Sequence, residues 1–144
     1  RRVTGQPFAA FNPDTLAVLR DRLVGLDSAL SAAAQAESTM TAAQQQFFSV
    51  DAGLGLRIDE RQTQSALLLA DALAATDSIA MWRQVRAALT PLEQLEVEFA
   101  RAEYPPFDRW YHETWIRSGL QRNNPHRAYV VLRAFIANPS VRAP

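Results

Sequence analysis

The stretch Asn12-Pro-Asp-Thr-Leu-Ala-Val-Leu-Arg-Asp-Arg-Leu-Val-Gly-Leu-Asp-Ser-Ala-Leu30 decides the fold class. Its first three residues are typical of a helix start: a capping side chain, a proline in the first turn and an acid at the positive end of the helix dipole. Its leucines recur at alternating spacings of three and four, at Leu16, Leu19, Leu23, Leu26 and Leu30. That spacing places them along one side of a helix and is typical of helical bundles and coiled coils. We therefore expect a long first helix whose leucine seam weakens at Ala33 and breaks at Glu37.

Composition and charge narrow the classes of protein that the chain can belong to. Of 144 residues, 48% are hydrophobic and 21% are charged, which are the proportions of an ordinary globular domain. Fifteen basic residues, all of them arginine, balance fifteen acidic ones, so we expect no nucleic-acid partner. The absence of cysteine excludes disulfides, thiolate metal sites and a cysteine nucleophile, but it does not distinguish a cytoplasmic from an extracytoplasmic protein. No apolar run approaches the roughly 20 residues that a membrane-spanning helix needs.

Signals for further helix starts follow along the chain, whereas no segment shows the alternation of a strand. They stand at Ser38-Thr39, at Asp59 with Gln62, and at Asp77, Thr90-Pro91, Pro106 and Asn124-Pro125. Asp51–Arg57, which contains two glycines, is predicted to be an internal loop, and the last helix is expected to end near Ala137. The sequence thus predicts a single all-α domain over residues 1–144, with an N-terminal arm over 1–11. We expect six to seven helices in a bundle with short connections containing Pro or Gly. We also expect that this domain has been excised from a larger protein.

The segment that precedes the last predicted helix is rich in aromatic and charged side chains. On a helix, Trp110 and Trp115 lie at the edges of an aromatic stripe, where they either pack in the core or line a cleft for a sugar or another flat ligand. The other face carries the charged side chains His112, Glu113 and Arg117. Asp108 and His112, Arg109 and Glu113, and Glu113 and Arg117 each stand four residues apart. This spacing fits a solvated face with weak ion pairs, and it also fits an acid–base unit in which Asp108 orients His112 or Glu113 acts on a substrate.

The start of the last predicted helix is a second candidate site. Asn124, His126 and Arg127 could bind a carboxylate or phosphate together with the free N–H groups of the first turn, or form an ordinary capped helix start. His112-Glu113 begins like the zinc motif H-E-x-x-H, but Ile116 stands where the second histidine would be required. We therefore predict no metal site and no cofactor.

Two motifs, Phe107-Asp-Arg-Trp-Tyr-His-Glu-Thr-Trp-Ile-Arg117 and Asn124-Pro-His-Arg-Ala-Tyr-Val-Val-Leu-Arg-Ala-Phe135, resemble C-terminal helical regions of large bacterial glycoside-hydrolase-like proteins. The resemblance covers the last third of the chain and carries over no catalytic acid or nucleophile. It implies a helical accessory region beside a catalytic module that lies elsewhere.

Three hypotheses of function follow. The first is a non-catalytic helical accessory or interaction module that binds a neighbouring domain or partner protein and is associated with a carbohydrate-active enzyme. The alternative is an extracytoplasmic helical sensor domain that binds a small ligand between its helices. A third is a small enzyme that uses His112, Glu113 and His126. A carbohydrate or a small anionic compound is the expected ligand.

Overall fold

The computed structural model describes residues 13–102 and 125–138, which are helical and contain no strand. The α-helices are α1 (Pro13–Glu37), α2 (Ala42–Phe48), α3 (Leu54–Ala74), α4 (Ser78–Ala87), α5 (Leu89–Ala102) and α6 (Pro125–Ala137). A π-helical segment, Ser49–Gly53, joins α2 to α3. The predicted all-α class is confirmed. The N-terminal arm, the cap Asn12 and the helix predicted to begin at Pro106 lie outside the described residues.

The first helix agrees with the leucine pattern. It begins at Pro13 and ends at Glu37, as predicted. Leu26 is buried, and the other leucines of the seam are half-buried, namely Leu16, Leu19, Leu23 and Leu30. The seam faces the interior of the fold, because α1 packs against α3.

The helix after α1 begins two residues later than the sequence signal at Ser38-Thr39 predicts. Thr41 is its cap: the Thr41 hydroxyl accepts from the N–H of Gln44, and the Gln44 side chain accepts from the N–H of Thr41 at 2.9 Å. The hydroxyls of Ser38 and Thr39 instead donate to carbonyls of the last turn of α1, at 2.7 and 2.9 Å. These two residues therefore finish one helix and do not start the next, because hydroxyl groups can serve either end.

The prediction of a loop over Asp51–Arg57 is wrong, because the chain stays helical there. Gly53 has φ −65° and ψ −39°, which are ordinary helical values. Glycine costs about 1 kcal/mol in a helix, whereas full burial of a leucine contributes roughly 1.5–3 kcal/mol, and Leu54 is almost completely buried. The helix continues through Asp59 and Gln62, so the capping box predicted there is also wrong.

Of the start signals predicted for the next two helices, one is confirmed and the other is wrong. Asp77 caps α4 as predicted, since its Oδ1 accepts a 2.8 Å hydrogen bond from the N–H three residues on. Thr90 is not a cap, because α5 already begins at Leu89 and only Ala88 separates it from α4. Pro91 is tolerated because it lies in the first turn, where no intrahelical partner for an N–H exists.

The six described α-helices are arranged in four continuous helical segments, whereas the sequence predicts six to seven separate helices over the whole chain. The segments span residues 13–37, 42–74, 78–102 and 125–137. The described connections between them, 38–41 and 75–77, contain neither Pro nor Gly, and the predicted connections around Pro106 and Gly119 lie outside the described residues. None of the described helices combines the length and apolar character needed to cross a lipid bilayer.

The core forms where α3 and α5 meet. Its main cluster contains the buried side chains Leu54, Leu95, Phe99 and Ala102. α3 contacts α1, α4 and α5, and α6 packs against α5. The α3 helix is therefore the central element of the described fold, and α6 lies at its edge.

Candidate ligand groove

Most of the predicted site residues cannot be placed. Those outside the described residues are Trp110, His112, Glu113, Trp115, Arg117 and Asn124. His126 and Arg127 lie in the first turn of α6, and their side chains face different parts of the molecule.

His126 takes part in a contact between helices. Its Nδ1 lies 2.7 Å from Oε2 of Glu96 on α5, and the two side chains are 18% and 17% exposed. The Tyr129 ring lies 6.3 Å from the imidazole, and the Tyr129 hydroxyl accepts a 2.8 Å hydrogen bond from Arg133. His126 therefore anchors the start of α6 to α5.

Arg127 lines a groove between four helices, with a volume of about 530 Å³. Its apolar lining residues come from α1, α3, α5 and α6 and are Leu19, Ala66, Leu69, Leu92, Ala128 and Val131. Its polar lining residues are Arg22, Asp59, Gln62, Thr63, Ser65 and Arg127. The volume falls in the range of about 300–1,000 Å³ that is common for small-molecule sites.

An ion pair connects two helices along the groove. Nη2 of Arg22 on α1 lies 2.7 Å from Oδ2 of Asp59 on α3, and these side chains are 52% and 47% exposed. Water screens a pair this exposed, so its contribution to folding is small, about 0–1 kcal/mol. Its effect on the groove is to compensate Asp59, the one carboxylate among the described lining residues.

The two hydroxyl groups of the lining are already used as donors. Thr63 donates to the carbonyl of Asp59 at 2.7 Å, and Ser65 donates to the carbonyl of Ala88 at 2.8 Å. Both residues are buried. Among the described residues of the lining, Arg22, Gln62 and Arg127 have side-chain N–H groups.

A second cavity, of about 320 Å³, lies beside the π-helical segment. Arg57 dominates it, with Nε 2.6 Å from Oε2 of Glu98 and Nη2 donating to the carbonyl of Ser49 at 2.8 Å. This guanidinium holds α5 and the π-helical segment together, so its role is structural. Among the described residues, no group of three or more His, Asp or Glu is placed to hold a metal ion.

Sequence reasoning missed Arg22 and Asp59. Arg22 stands three residues after Leu19 and four before Leu26, so it adjoins the leucine seam, and that position is a signal that the sequence contains. Asp59, followed three residues later by Gln62, is typical of a helix cap, so the sequence predicted a helix start there and not a residue of a groove. Nothing in the sequence connects the two residues, which are 37 positions apart.

Comparison with protein-family models, with curated proteins and with solved structures gives no match for this chain.

Proposed function

We propose that the chain is a non-catalytic helical binding module that holds a small ligand in the groove between α1, α3, α5 and α6. The observation that supports this most directly is the lining of the groove, which combines apolar walls from four helices with a few polar side chains. Such a combination is typical of small-ligand sites. Arg127, which the sequence marks as a candidate for binding an anion, lies in this lining.

The same lining argues for binding and against a reaction. Nucleophilic catalysis needs a nucleophile and a base within hydrogen-bond reach of each other. The residues that line the groove, all in the described part of the chain, include no histidine, and their hydroxyl groups donate to backbone carbonyls. The histidine nearest in sequence, His126, contacts Glu96 on α5.

A thermal-shift screen with a blocking variant tests the proposal. The compounds are amino acids, organic acids, fatty acids, aliphatic alcohols and sugars. A ligand at a hundredfold excess over its Kd adds about 2.7 kcal/mol to the free energy of unfolding, which raises Tm by several degrees. We expect at least one saturable shift that is lost in Ala128→Trp, because the indole ring fills the groove.

Ala134→Trp is the matched control, since Ala134 is an exposed residue of the same helix that does not line the groove. The ligand should stabilise this variant as it does the wild type. A screen without any saturable shift, or a shift that survives in Ala128→Trp, would contradict the proposed binding site.

A second candidate function is the docking of a neighbouring domain on α6. The exposed fractions of Val130, Val131 and Phe135 are 48%, 60% and 45%, and with Ala134 these residues form an apolar strip along one side of the helix. Within this strip Val131 also lines the groove, and the Phe135 ring stacks on Trp82 of α4 with the ring centroids 5.8 Å apart. Helices that are apolar on most sides are normally buried, yet no residue from 126 to 138 is buried. This favours the hypothesis of an accessory module whose outer strip is covered by an apolar face of another domain.

A further inference from the structure

We propose that the second cavity, beside the π-helical segment, is a separate binding site for a small carboxylate, a compound with one carboxyl group and a short aliphatic body. The residues that line this cavity are Ser49, Val50, Arg57, Glu98, Arg101 and Ala102. They come from the π-helical segment, α3 and α5, and none of these six residues lines the groove. The proposal therefore does not depend on the function proposed for the groove.

The backbone beside the cavity departs from an ordinary helix in two ways. Ser49–Gly53 is π-helical, and single π-helical turns within α-helices are rare and occur frequently at functional sites. Gly53 makes room for Arg57, since a Cβ atom there would lie 2.9 Å from Nη1 of Arg57. Glycine also lowers the stability of a helix. Features of this kind, which do not favour a regular helix and meet at one cavity, are typical of a binding site.

The charge of the lining favours an anion. Nε of Arg57 lies 2.6 Å from Oε2 of Glu98, so these two charges compensate each other. Arg101 lies exposed in the last turn of α5 and also lines the cavity. Among the described residues, none forms an ion pair or a hydrogen bond with the Arg101 side chain. The lining consequently keeps one positive charge, which attracts an anion and which a single carboxylate compensates.

The donors of the cavity suit a carboxylate in particular. A guanidinium has five N–H donors in a planar fork and binds a carboxylate through two parallel hydrogen bonds. Arg101 offers this whole fork. Arg57 keeps its structural role through Nε, which donates to Glu98, and Nη2, which donates to the carbonyl and the hydroxyl of Ser49. No described residue accepts a hydrogen bond from Nη1 of Arg57, so this group is a further donor for the ligand.

The size and the walls of the cavity favour a short aliphatic body. The volume of about 320 Å³ is near the lower end of the range of about 300–1,000 Å³ that is common for small-molecule sites. Val50 and Ala102 are its apolar lining residues, and their contact with hydrocarbon removes apolar surface from water. None of the six described lining residues is aromatic, so an aromatic ring would find no ring on which to stack.

NMR titration with two probes of nearly equal shape, butyrate and its neutral amide butyramide, tests the proposal. Butyrate should cause saturable shifts in the amide signals of Ser49, Val50 and Ala102 and in the Nε–H signal of Arg57. It should bind at least about tenfold more tightly than butyramide, because only the carboxylate accepts charge-assisted hydrogen bonds from both guanidinium groups. Equal affinities for the two probes, or no saturable shift with butyrate, would overturn the proposal.

A charge-removing variant tests the role of Arg101. Arg101→Gln should weaken butyrate binding by about tenfold or more, because it removes the charge that Glu98 does not compensate. Arg86→Gln is the matched control, since Arg86 is exposed in the last turn of α4 and does not line the cavity. It should change butyrate affinity by less than about twofold. Unchanged butyrate affinity in Arg101→Gln would contradict the proposed site.

Ala128→Trp distinguishes the second cavity from the groove. Butyrate binding should persist in this variant, because Ala128 lines the groove and not the second cavity. Loss of butyrate binding in Ala128→Trp would overturn the proposal and assign the compound to the groove. Conversely, stabilisation by a small acid that persists in Ala128→Trp but disappears in Arg101→Gln arises from the second cavity, and it does not count against ligand binding in the groove.

Discussion

At the scale of single residues, the side chain of Arg57 leaves little room for any side chain at Gly53. A Cβ atom at Gly53 would lie 2.9 Å from Nη1 of Arg57, and Arg57 is held in place by Glu98 and Ser49. Gly55, two positions on, is also helical, but a Cβ there would meet nothing within 4 Å. Two glycines of one helical segment therefore differ in whether a side chain fits.

This difference predicts unequal effects of the same substitution. Gly55→Ala should raise the free energy of unfolding by up to about 1 kcal/mol, because alanine favours the helix more than glycine does. The free energy of unfolding of Gly53→Ala should be about 1 kcal/mol lower than that of Gly55→Ala. The reason is that the Arg57 guanidinium must shift and loosen a hydrogen bond that contributes roughly this much. Urea denaturation monitored by circular dichroism measures both.

The double variant provides the control for this prediction. In an Arg57→Met background, where the guanidinium is absent, Gly53→Ala and Gly55→Ala should stabilise the chain to the same extent. If Gly53→Ala already matches Gly55→Ala with Arg57 present, the contact between Gly53 and Arg57 does not restrict the position.

At the scale of elements, a buried hydrogen bond secures the junction of α4 and α5. The hydroxyl of Ser65 on α3 donates to the carbonyl of Ala88 at 2.8 Å, and Ala88 is completely buried. Ser28 makes a similar bond to the carbonyl of Val24 at 3.0 Å, but on the exposed side of α1. Water can replace the bond at Ser28, whereas at Ser65 it cannot do so without rearrangement.

Serine-to-alanine substitutions should therefore separate the two positions. Ser65→Ala should lower the free energy of unfolding by about 1–3 kcal/mol, the cost of leaving a buried carbonyl without this donor. Ser28→Ala should change it by less than about 0.5 kcal/mol. Thermal and chemical unfolding of both variants measure the difference. Equal stability of the two variants would show that Ser65 does not secure the junction.

Elements also show where sequence reasoning reaches its limit. The bounds of α1 and α6 could be predicted because proline starts both helices, and the leucine seam marks the length of α1. The breaks at Asp51–Arg57 and at Thr90 could not be excluded, because glycine and proline favour loops unless tertiary burial outweighs them. Leu54 and Leu92 are both buried, and their burial favours helix over loop at these positions.

At the scale of the whole molecule, the groove depends on contacts that no local pattern contains. Arg22 meets Asp59 across 37 positions, and Glu96 meets His126 across 30. Periodicity predicts which side of a helix is apolar, but it does not predict which helices become neighbours. The sequence therefore pointed to His126 and Arg127 as candidates, whereas their surroundings came only from the structure.

The exposed strip of α6 leads to a prediction about the proposed docking of a neighbouring domain. In the chain by itself, amides of residues 128–137 should exchange with deuterium faster than those of α3 and α5, because no residue from 126 to 137 is buried. In a longer protein in which a further domain docks on α6, as proposed, exchange in α6 should be at least about tenfold slower. Hydrogen–deuterium exchange with mass spectrometry compares the two proteins.

The α3 helix is the internal reference, since its buried residues should give the same protection in both proteins. Light scattering on the same samples identifies a second copy of the chain as the alternative cover of the strip. Unchanged exchange in α6 between the two proteins would argue against domain docking on this surface.

The orientation of α2 depends on the number of residues in the π-helical segment Ser49–Gly53. A π-turn closes with one more residue than an α-turn, and each residue of a helix turns the chain by about 100°. Loss of one residue between 49 and 53 would let α2 and α3 merge into an uninterrupted α-helix and would rotate α2 by about that angle. A different side of α2 would then meet α1, which it contacts now. A one-residue deletion here would thus rearrange the contacts of α2 more than most substitutions within it would.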